Sequence, residues 1–177
     1  MMNEPHLIEP DIRYRDSYLE ALREGLEQVS PAEEKLREIE RDFEGFMERK
    51  NDLNIPVELP DGRKVKRVPQ IDLWLVSGDR FLGRISIRHE LTEHLRQVGG
   101  HVGYAVRKSE RRKGYAGLML KLALPRARSL GLDEVLITCD DDNVGSIRVI
   151  EGGGGVLRGK IKAAGESAPI RHYWLKL

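Results

Sequence analysis

The chain has a single cysteine, Cys139, so it can close no internal disulfide and form no all-cysteine zinc site. It also has no excess charge of either sign: 30 Lys and Arg stand against 29 Asp and Glu, a net charge of +1. Without a broad basic field it has no general grip on nucleic acid, and no such partner is expected. Long apolar runs are missing too, since none approaches the ~20 residues that cross a bilayer, so no membrane partner is expected either. The opening Met-Met-Asn-Glu-Pro-His is polar and lacks the apolar centre of a secretory leader. A cytoplasmic location follows as the expectation. There is no internal repeat and, apart from Gly152–Gly155, no low-complexity tract.

What remains is a chain of 177 residues, long enough to bury a good core and read as one domain, residues 1–177. Leu7 to Tyr14 suits a short edge strand weakened by Pro10. Asp16 then stands where a helix cap is wanted, ahead of Leu19, Leu22, Leu26 and Val29 on one face. Ser30-Pro31-Ala32-Glu33 has the form of a capping box with proline at the first helical position. Behind it Leu36, Ile39, Phe43, Phe46 and Met47 mark one helix to about Asn51. Two prolines and Asp61-Gly62 make residues 54–67 a loop or small hairpin. Gln70 to Val76 and Arg80 to Arg88 read as an antiparallel pair joined at Ser77-Gly78-Asp79, and residues 89–96 as a helical turn.

The second half carries a different rhythm. His101 to Val106 alternates like a half-buried strand, and residues 114–130 repeat apolar positions at helical spacing. Residues 133–139 form a continuous apolar run that suits a strand covered on both faces. Together these make a strand-helix-strand unit with a parallel pair. Pro125 falls inside the helix, where it costs about 3 kcal/mol, and a kink or a break is expected there. Asn143 opens a short helix with Ile147 and Ile150, the glycines end it, and strands near 155–161 and 169–177 close the chain.

Between the strand at 101–106 and its helix lies a turn with five cations, Arg107, Lys108, Arg111, Arg112 and Lys113, and with Gly114 at its tightest point. A strand feeding a helix through such a turn aims unshared backbone N–H groups and the positive end of the helix dipole at one place. That suits a pyrophosphate. It is not a P-loop, because Lys113 precedes Gly114 and no Gly-Lys-Ser/Thr follows. Gly152–Gly155 does not continue as G-x-G-x-x-G and follows a helix instead of a strand.

At these residues the chain resembles the GNAT superfamily of N-acetyltransferases, whose acetyl-CoA loop reads Gln/Arg-x-x-Gly-x-Gly/Ala. Arg111, Gly114 and Ala116 match it in register. The wider pattern Gly-Gly-His-Val-Gly-Tyr, Ser-Glu-Arg-Arg-Lys-Gly-Tyr-Ala and Cys-Asp-x-Asp-Asn looks like one branch of predicted acetyltransferases in that superfamily. The resemblance covers roughly residues 68 to 177. It implies an α/β (α+β) fold: a mixed, mostly antiparallel central sheet with one splayed parallel strand pair, flanked by helices. Residues 68–177 would be the acetyl-CoA-binding core, and residues 1–67 the helices walling the acceptor side.

Resemblance further implies acetyl-CoA as co-substrate, no metal, and acetyl transfer to a primary amine of a small molecule or peptide within a ternary complex. The pyrophosphate would lie on Arg111, Arg112, Lys113, Gly114, Tyr115, Ala116 and Gly117. The pantetheine arm would pair with main chain at Tyr104, Ala105 and Val106, with Asn143 and Ser146 reaching it from the second helix. Asn143 is equally suited to capping that helix. For the base, His101 and His89 are the candidates, each with a structural role as its alternative. Asp140, Asp141 and Asp142 can attract a cationic amine or bind a metal, but with no second ligand cluster in the sequence a capping and turn role for Asp142-Asn143 is favoured over a metal site. Many relatives carry a tyrosine acid seven residues after the asparagine, and here that position is Ile150. A non-catalytic acyl-CoA-binding module on the same fold is therefore the alternative, and a homodimer is one assembly left open.

Overall fold

The structure, a computed structural model, describes residues 4–26, 33–59, 62–163 and 168–177. In chain order the elements are β1 (His6–Ile8), α1 (Arg15–Arg23), α2 (Glu33–Arg41), α3 (Phe43–Asn51), β2 (Val57–Glu58), β3 (Lys64–Val65), β4 (Gln70–Ser77) and β5 (Arg80–Arg88). There follow α4 (Glu93–Gln97), β6 (Val102–Val106), α5 (Tyr115–Ser129), β7 (Glu134–Asp140), α6 (Val144–Gly152), β8 (Val156–Ile161) and β9 (Ile170–Lys176). The architecture is mixed α/β: an antiparallel sheet β1-β4-β5-β6, a second antiparallel sheet β7-β9-β8, a small β2-β3 hairpin, and flanking helices.

Alternation along β4 sends its side chains into two different cores. Leu73 and Leu75 join Ile85 and Ile87 of β5 against Met119, Leu120, Ala123 and Ala127 of α5. Trp74 and Val76 point the other way, against Tyr18, Leu19 and Leu22 of α1 and Phe43 of α3. Tyr18 stacks on Trp74 at 4.7 Å, and Phe81 meets both rings edge-on. Helices thus cover the first sheet on both sides, which is why Leu73, Trp74, Leu75 and Val76 of β4 form an unbroken buried apolar run.

Local chemistry explains where the elements begin and end. Asp11 accepts from Arg13 N–H and caps a short 3-10 turn, Ile12–Tyr14, while Asp16 is already the second residue of α1. The cap expected at Asp16 is one turn upstream. α1 ends at Gly25, whose φ of 83° allows Gly25 N–H to reach Leu22 O and Leu26 N–H to reach Ala21 O. The single helix expected to Asn51 is two, because Asp42 leaves helical geometry and its side chain accepts Gly45 N–H. Ser30 and Pro31 of the expected capping box, Val29, and Asp61 of the expected turn lie outside the described residues. α4 is capped by the Thr92 hydroxyl, which accepts Leu95 N–H.

The break expected at Pro125 is absent: α5 runs unbroken through it. Pro125, Lys121 and Leu122 all lie on the exposed face, so water can serve the carbonyl that proline leaves without a partner. The opposite face keeps its packing and holds the helix together. β7 is buried on both faces as expected, with Val135, Leu136 and Ile137 each 1% exposed or less. It does not lie mid-sheet, however. It is the edge of its own ladder, and β6 is the edge of the other.

Candidate functional site

The seam between those two edges is pinned at one end. His101 N–H donates to Leu136 O at 2.7 Å, and the His101 ring returns the bond by accepting Leu136 N–H on Nδ1 at 2.9 Å. Gly99 N–H adds a bond to Thr138 Oγ1 at 2.8 Å. Past His101 the strands form no ladder with each other. β6 bonds to β5 on one side, with Tyr104 opposite Ile85, Ala105 opposite Arg84 and Val106 opposite Gly83, and presents its other edge to the gap. An unpaired strand edge is a template for an extended ligand.

At the open end of the gap the chain turns from β6 into α5. Arg107, 3% exposed, leaves the turn altogether: it pairs with Glu20 at 2.9 Å and Glu24 at 2.5 Å, and donates to Ser17. Its guanidinium holds the Glu24 carboxyl at about 2. Lys108–Glu110 then make a 3-10 turn whose Glu110, 6% exposed, takes Arg80 and Lys113, both at 2.8 Å. Arg111 bonds back to Val106 O and Gly25 O. Two of the five cations therefore build the turn and Arg107 ties it to α1, leaving Lys108 and Arg112 exposed with no ion pair among the described residues. Arg111 and Lys113 were expected as charge for a phosphate, and the structure gives them other work.

The backbone of the turn is what faces outward. Arg112 has φ 64° and Gly114 has φ 83°, two left-handed residues within three. Arg112 is the one non-glycine residue with positive φ among those described, a strain usually kept for function. Gly114 caps α5 without a side chain, so the N–H groups of Tyr115, Ala116 and Gly117, in the first turn, have no acceptor within the helix. Neither they nor the amides of Arg112, Lys113 and Gly114 reach a backbone carbonyl elsewhere among the described residues. A Cβ built on Gly114 or Gly117 meets no atom within 4 Å, so the cradle is open where an anion would approach.

On the α5 side of the sheet, the Tyr104 hydroxyl is buried and lies beside Ser146, yet forms no hydrogen bond of good geometry. Burial raises its pKa, with Ser146 pulling weakly the other way. Such an orphaned buried group costs free energy unless something else binds it. Nothing in the sequence spacing pointed to this side chain. Asn143 is a cap: its Oδ1 accepts Ser146 N–H at 3.0 Å. Cys139 is buried with its thiol pushed up to about 11, mainly by burial, and is unsuited to act as a nucleophile. Ile150 is wholly buried and packs in the core.

Of the two histidines, His101 is 8% exposed and its Nδ1 lone pair is occupied by Leu136 N–H. That bond fixes the proton on Nε2 and leaves no free lone pair for a base. Burial first, then Arg96 and Arg88, lower its pKa further toward the neutral form. The geometry contradicts the catalytic role expected of His101 and makes it the pin of the seam. His89 is exposed just past β5, its N–H on Pro69 O, and its ring makes no hydrogen bond among the described residues. Of the three acids at the end of β7, Asp141 is taken by Arg171 and Lys160. No group of three or more metal-binding side chains occurs among the described residues, and no helix there is long and apolar enough to cross a membrane.

Three comparisons bear on this arrangement. Residues 23–156 match the family model of the acetyltransferase (GNAT) domain. No protein of curated function matches the chain by sequence. Among solved structures, the chain resembles the Salmonella typhimurium acetyltransferase that modifies the N-terminal serine of ribosomal protein L7/L12, with a TM-score of 0.61 at 16% identity, over 98% of this chain and 95% of that one. It resembles the microcin C7 self-immunity acetyltransferase, solved with acetyl-CoA and AMP, with a TM-score of 0.62 at 14% identity over 98% and 93%. A Staphylococcus aureus N-acetyltransferase gives 0.62 at 12% identity, over 98% of both chains. The fold is shared across all three, and the family model spans most of the described sequence, the turn and the seam included: the chain belongs to the GNAT family of acetyltransferases.

Proposed function

We propose that the chain is a single acetyltransferase domain, residues 1–177, that binds acetyl-CoA along the β6 edge and the turn into α5 and transfers the acetyl group to a primary amine. Residues 68–177 would hold the acetyl-CoA and residues 1–67 would wall the acceptor. The observation that carries the reading is the run of amides from Arg112 to Gly117, unpaired within the backbone and aimed over two open glycines, at the mouth of an unpaired strand edge. An extended arm with amides at one end and a diphosphate at the other fits that pair of features. The microcin C7 self-immunity acetyltransferase, of the same fold, binds acetyl-CoA.

Acetyl-CoA would supply an activated thioester, so that an N–C bond forms as the C–S bond breaks, the amine gives up a proton and the sulfur gains one. This chain's part is to orient and to move those protons. Main-chain groups of Tyr104, Ala105 and Val106 hold the arm, and the first turn of α5 holds the phosphates with the exposed charges of Lys108 and Arg112 nearby. Tyr104 Oη is the proton donor: it belongs to the strand whose edge faces the gap, lacks a partner, and stays protonated because burial raises its pKa. It stands in for the tyrosine that position 150 lacks. His89 remains the candidate base, with its ring unbonded at the end of β5. A cytoplasmic setting and a peptide or small-molecule acceptor complete the reading.

Two assays test it. Calorimetric titration with CoA should show one site per chain, and Ellman's reagent should report thiol release from acetyl-CoA with at least one member of a panel of amines and peptides. Tight CoA binding with no thiol release for any acceptor would favour the non-catalytic acyl-CoA-binding module, which the buried Ile150 supports. Absence of CoA binding would refute both.

A further inference from the structure

We propose that a cavity on the α1–α3 side of the first sheet takes the anionic part of the acceptor, and that the acceptor is a small primary amine carrying a phosphate or carboxylate group. This rests on the acetyl-transfer reading above and names the substrate class for it. The cavity, about 330 Å³, is bounded by the β2-β3 hairpin, β4, β5 and α4. Among the described residues it is lined by Lys50, Lys66, Arg67, Arg84, Arg88 and His94, and by no Asp or Glu. In a chain with a net charge of +1, five Lys and Arg side chains around one small space is a local arrangement, and a binding site of that sign recruits anions.

Arg88 is the centre of it. One terminal nitrogen donates to Gly99 O at 3.1 Å and Gly100 O at 3.0 Å, which fixes the guanidinium in place. Among the described residues it makes no ion pair. Burial and the neighbouring charge of Arg84 both work against the Arg88 cation, and Asp72 offsets them only in part. Asp72 is itself engaged, because the Gln70 amide donates to both its oxygens. A cation held rigidly in this way, against a like charge, is stabilised by an incoming oxyanion, which the planar guanidinium can bind through two parallel bonds.

Its place relative to the seam gives the cavity a role in transfer. A Cβ built on Gly103 of β6 would lie 3.7 Å from both terminal nitrogens of Arg88 and 3.5 Å from Ser86 Oγ. Gly103 directly precedes Tyr104, so the guanidinium sits beside the strand whose far edge faces the gap. An anion on Arg88 would therefore anchor an acceptor whose amine lies a few bonds away, toward β6. Polyamines and other purely cationic acceptors would be repelled.

Calorimetric titration tests this with O-phosphoethanolamine, L-aspartate, ethanolamine and putrescine, each with and without saturating CoA. The two anionic amines should bind at least about tenfold tighter than the other two, the worth of one charge-assisted pair. Raising the salt concentration should erode that preference. Lys66→Glu, at an exposed position, should abolish it with an unchanged unfolding transition. Arg88→Gln should do the same even though it also loses two carbonyl contacts. Binding of phosphoethanolamine alone would narrow the class to phosphates. If CoA binds and the four amines bind alike, or the cationic ones better, the inference is overturned and acetyl transfer stands. If CoA fails to bind while the anionic preference follows Lys66, the acetyl-transfer reading falls and the anion site stands.

Discussion

Replacing His101 by alanine takes away the acceptor that Leu136 N–H uses inside the protein. A buried donor left unpaired costs about 1–3 kcal/mol, so His101→Ala should lower the melting temperature by several degrees. The wild type carries a pH signature of the same bond. Burial depresses the His101 pKa below its ordinary 6.5, so the unfolded chain binds the proton more readily, and stability falls as the pH drops below 6.5. His101→Ala should flatten that part of the curve. Tyr104 behaves in the opposite way, because its hydroxyl is buried without a partner. Tyr104→Phe should leave stability unchanged or slightly raised, and should cut kcat by roughly 10²-fold, the usual worth of a positioned proton donor. A drop in kcat shared equally with wild-type-like CoA affinity would mark the hydroxyl as chemical; an unchanged kcat would return the acid to solvent. A histidine at the start of a strand can be read from sequence as base or pin, and only the position of Leu136 decides. Tyr104 was legible as backbone and not as a side chain, since no spacing rule shows which way a lone phenol points or what it lacks.

At the scale of elements, the turn from β6 to α5 is held by ion pairs whose partners lie as far as 87 residues apart in the sequence. Arg107 reaches Glu20 and Glu24 on α1, so this pairing ties the first helix to the end of β6. The Glu24 carboxyl, depressed from 4.5 to about 2, contributes stability that is complete above pH 4.5 and lost as the pH falls through 2. The contribution is on the order of 3 kcal/mol. Glu24→Gln should therefore be less stable at neutral pH and show a shallower acid limb in a pH series of melts. The basic run at 107–113 looked in sequence like five charges for a ligand, because composition cannot show which cations already have carboxylates at long range. Helix ends were read with mixed success for a related reason. Gly152–Gly155 stops α6 by a local rule, whereas Asp42 splits the second helix through a side-chain bond to Gly45 that periodicity does not register. Pro125 is the converse: a local rule expected a break, and the packing of Met119, Leu120, Ala123 and Ala127 overrode it. Pro125→Ala should restore the missing hydrogen bond to Lys121 O on an exposed face and raise stability by about 1–3 kcal/mol, measured by thermal or denaturant melts.

The whole molecule is two antiparallel sheets meeting at a pinned and then opening seam, with a cradle of unpaired amides at the open end and a cationic cavity on the other side of β6. The β4-β5 pair was legible because its strands are joined by a short turn, and the strand-helix-strand unit by its change of period. The division into two ladders was not, since the edge strand β7 buries as many apolar residues as the central strands β4 and β5 do. Everything functional depends on the claim that a diphosphate rests on the first turn of α5. Gly117 tests this most directly, because it is helical, exposed, and open above its Cα. Gly117→Ala should stabilise the protein by about 0.5–1 kcal/mol through helix propensity, while its methyl group stands where the phosphates would approach. The measurement is the calorimetric Kd for CoA in this variant beside its melting temperature. The account predicts that the melting temperature rises as affinity falls by tenfold or more, and a rise in melting temperature with unchanged affinity would contradict it.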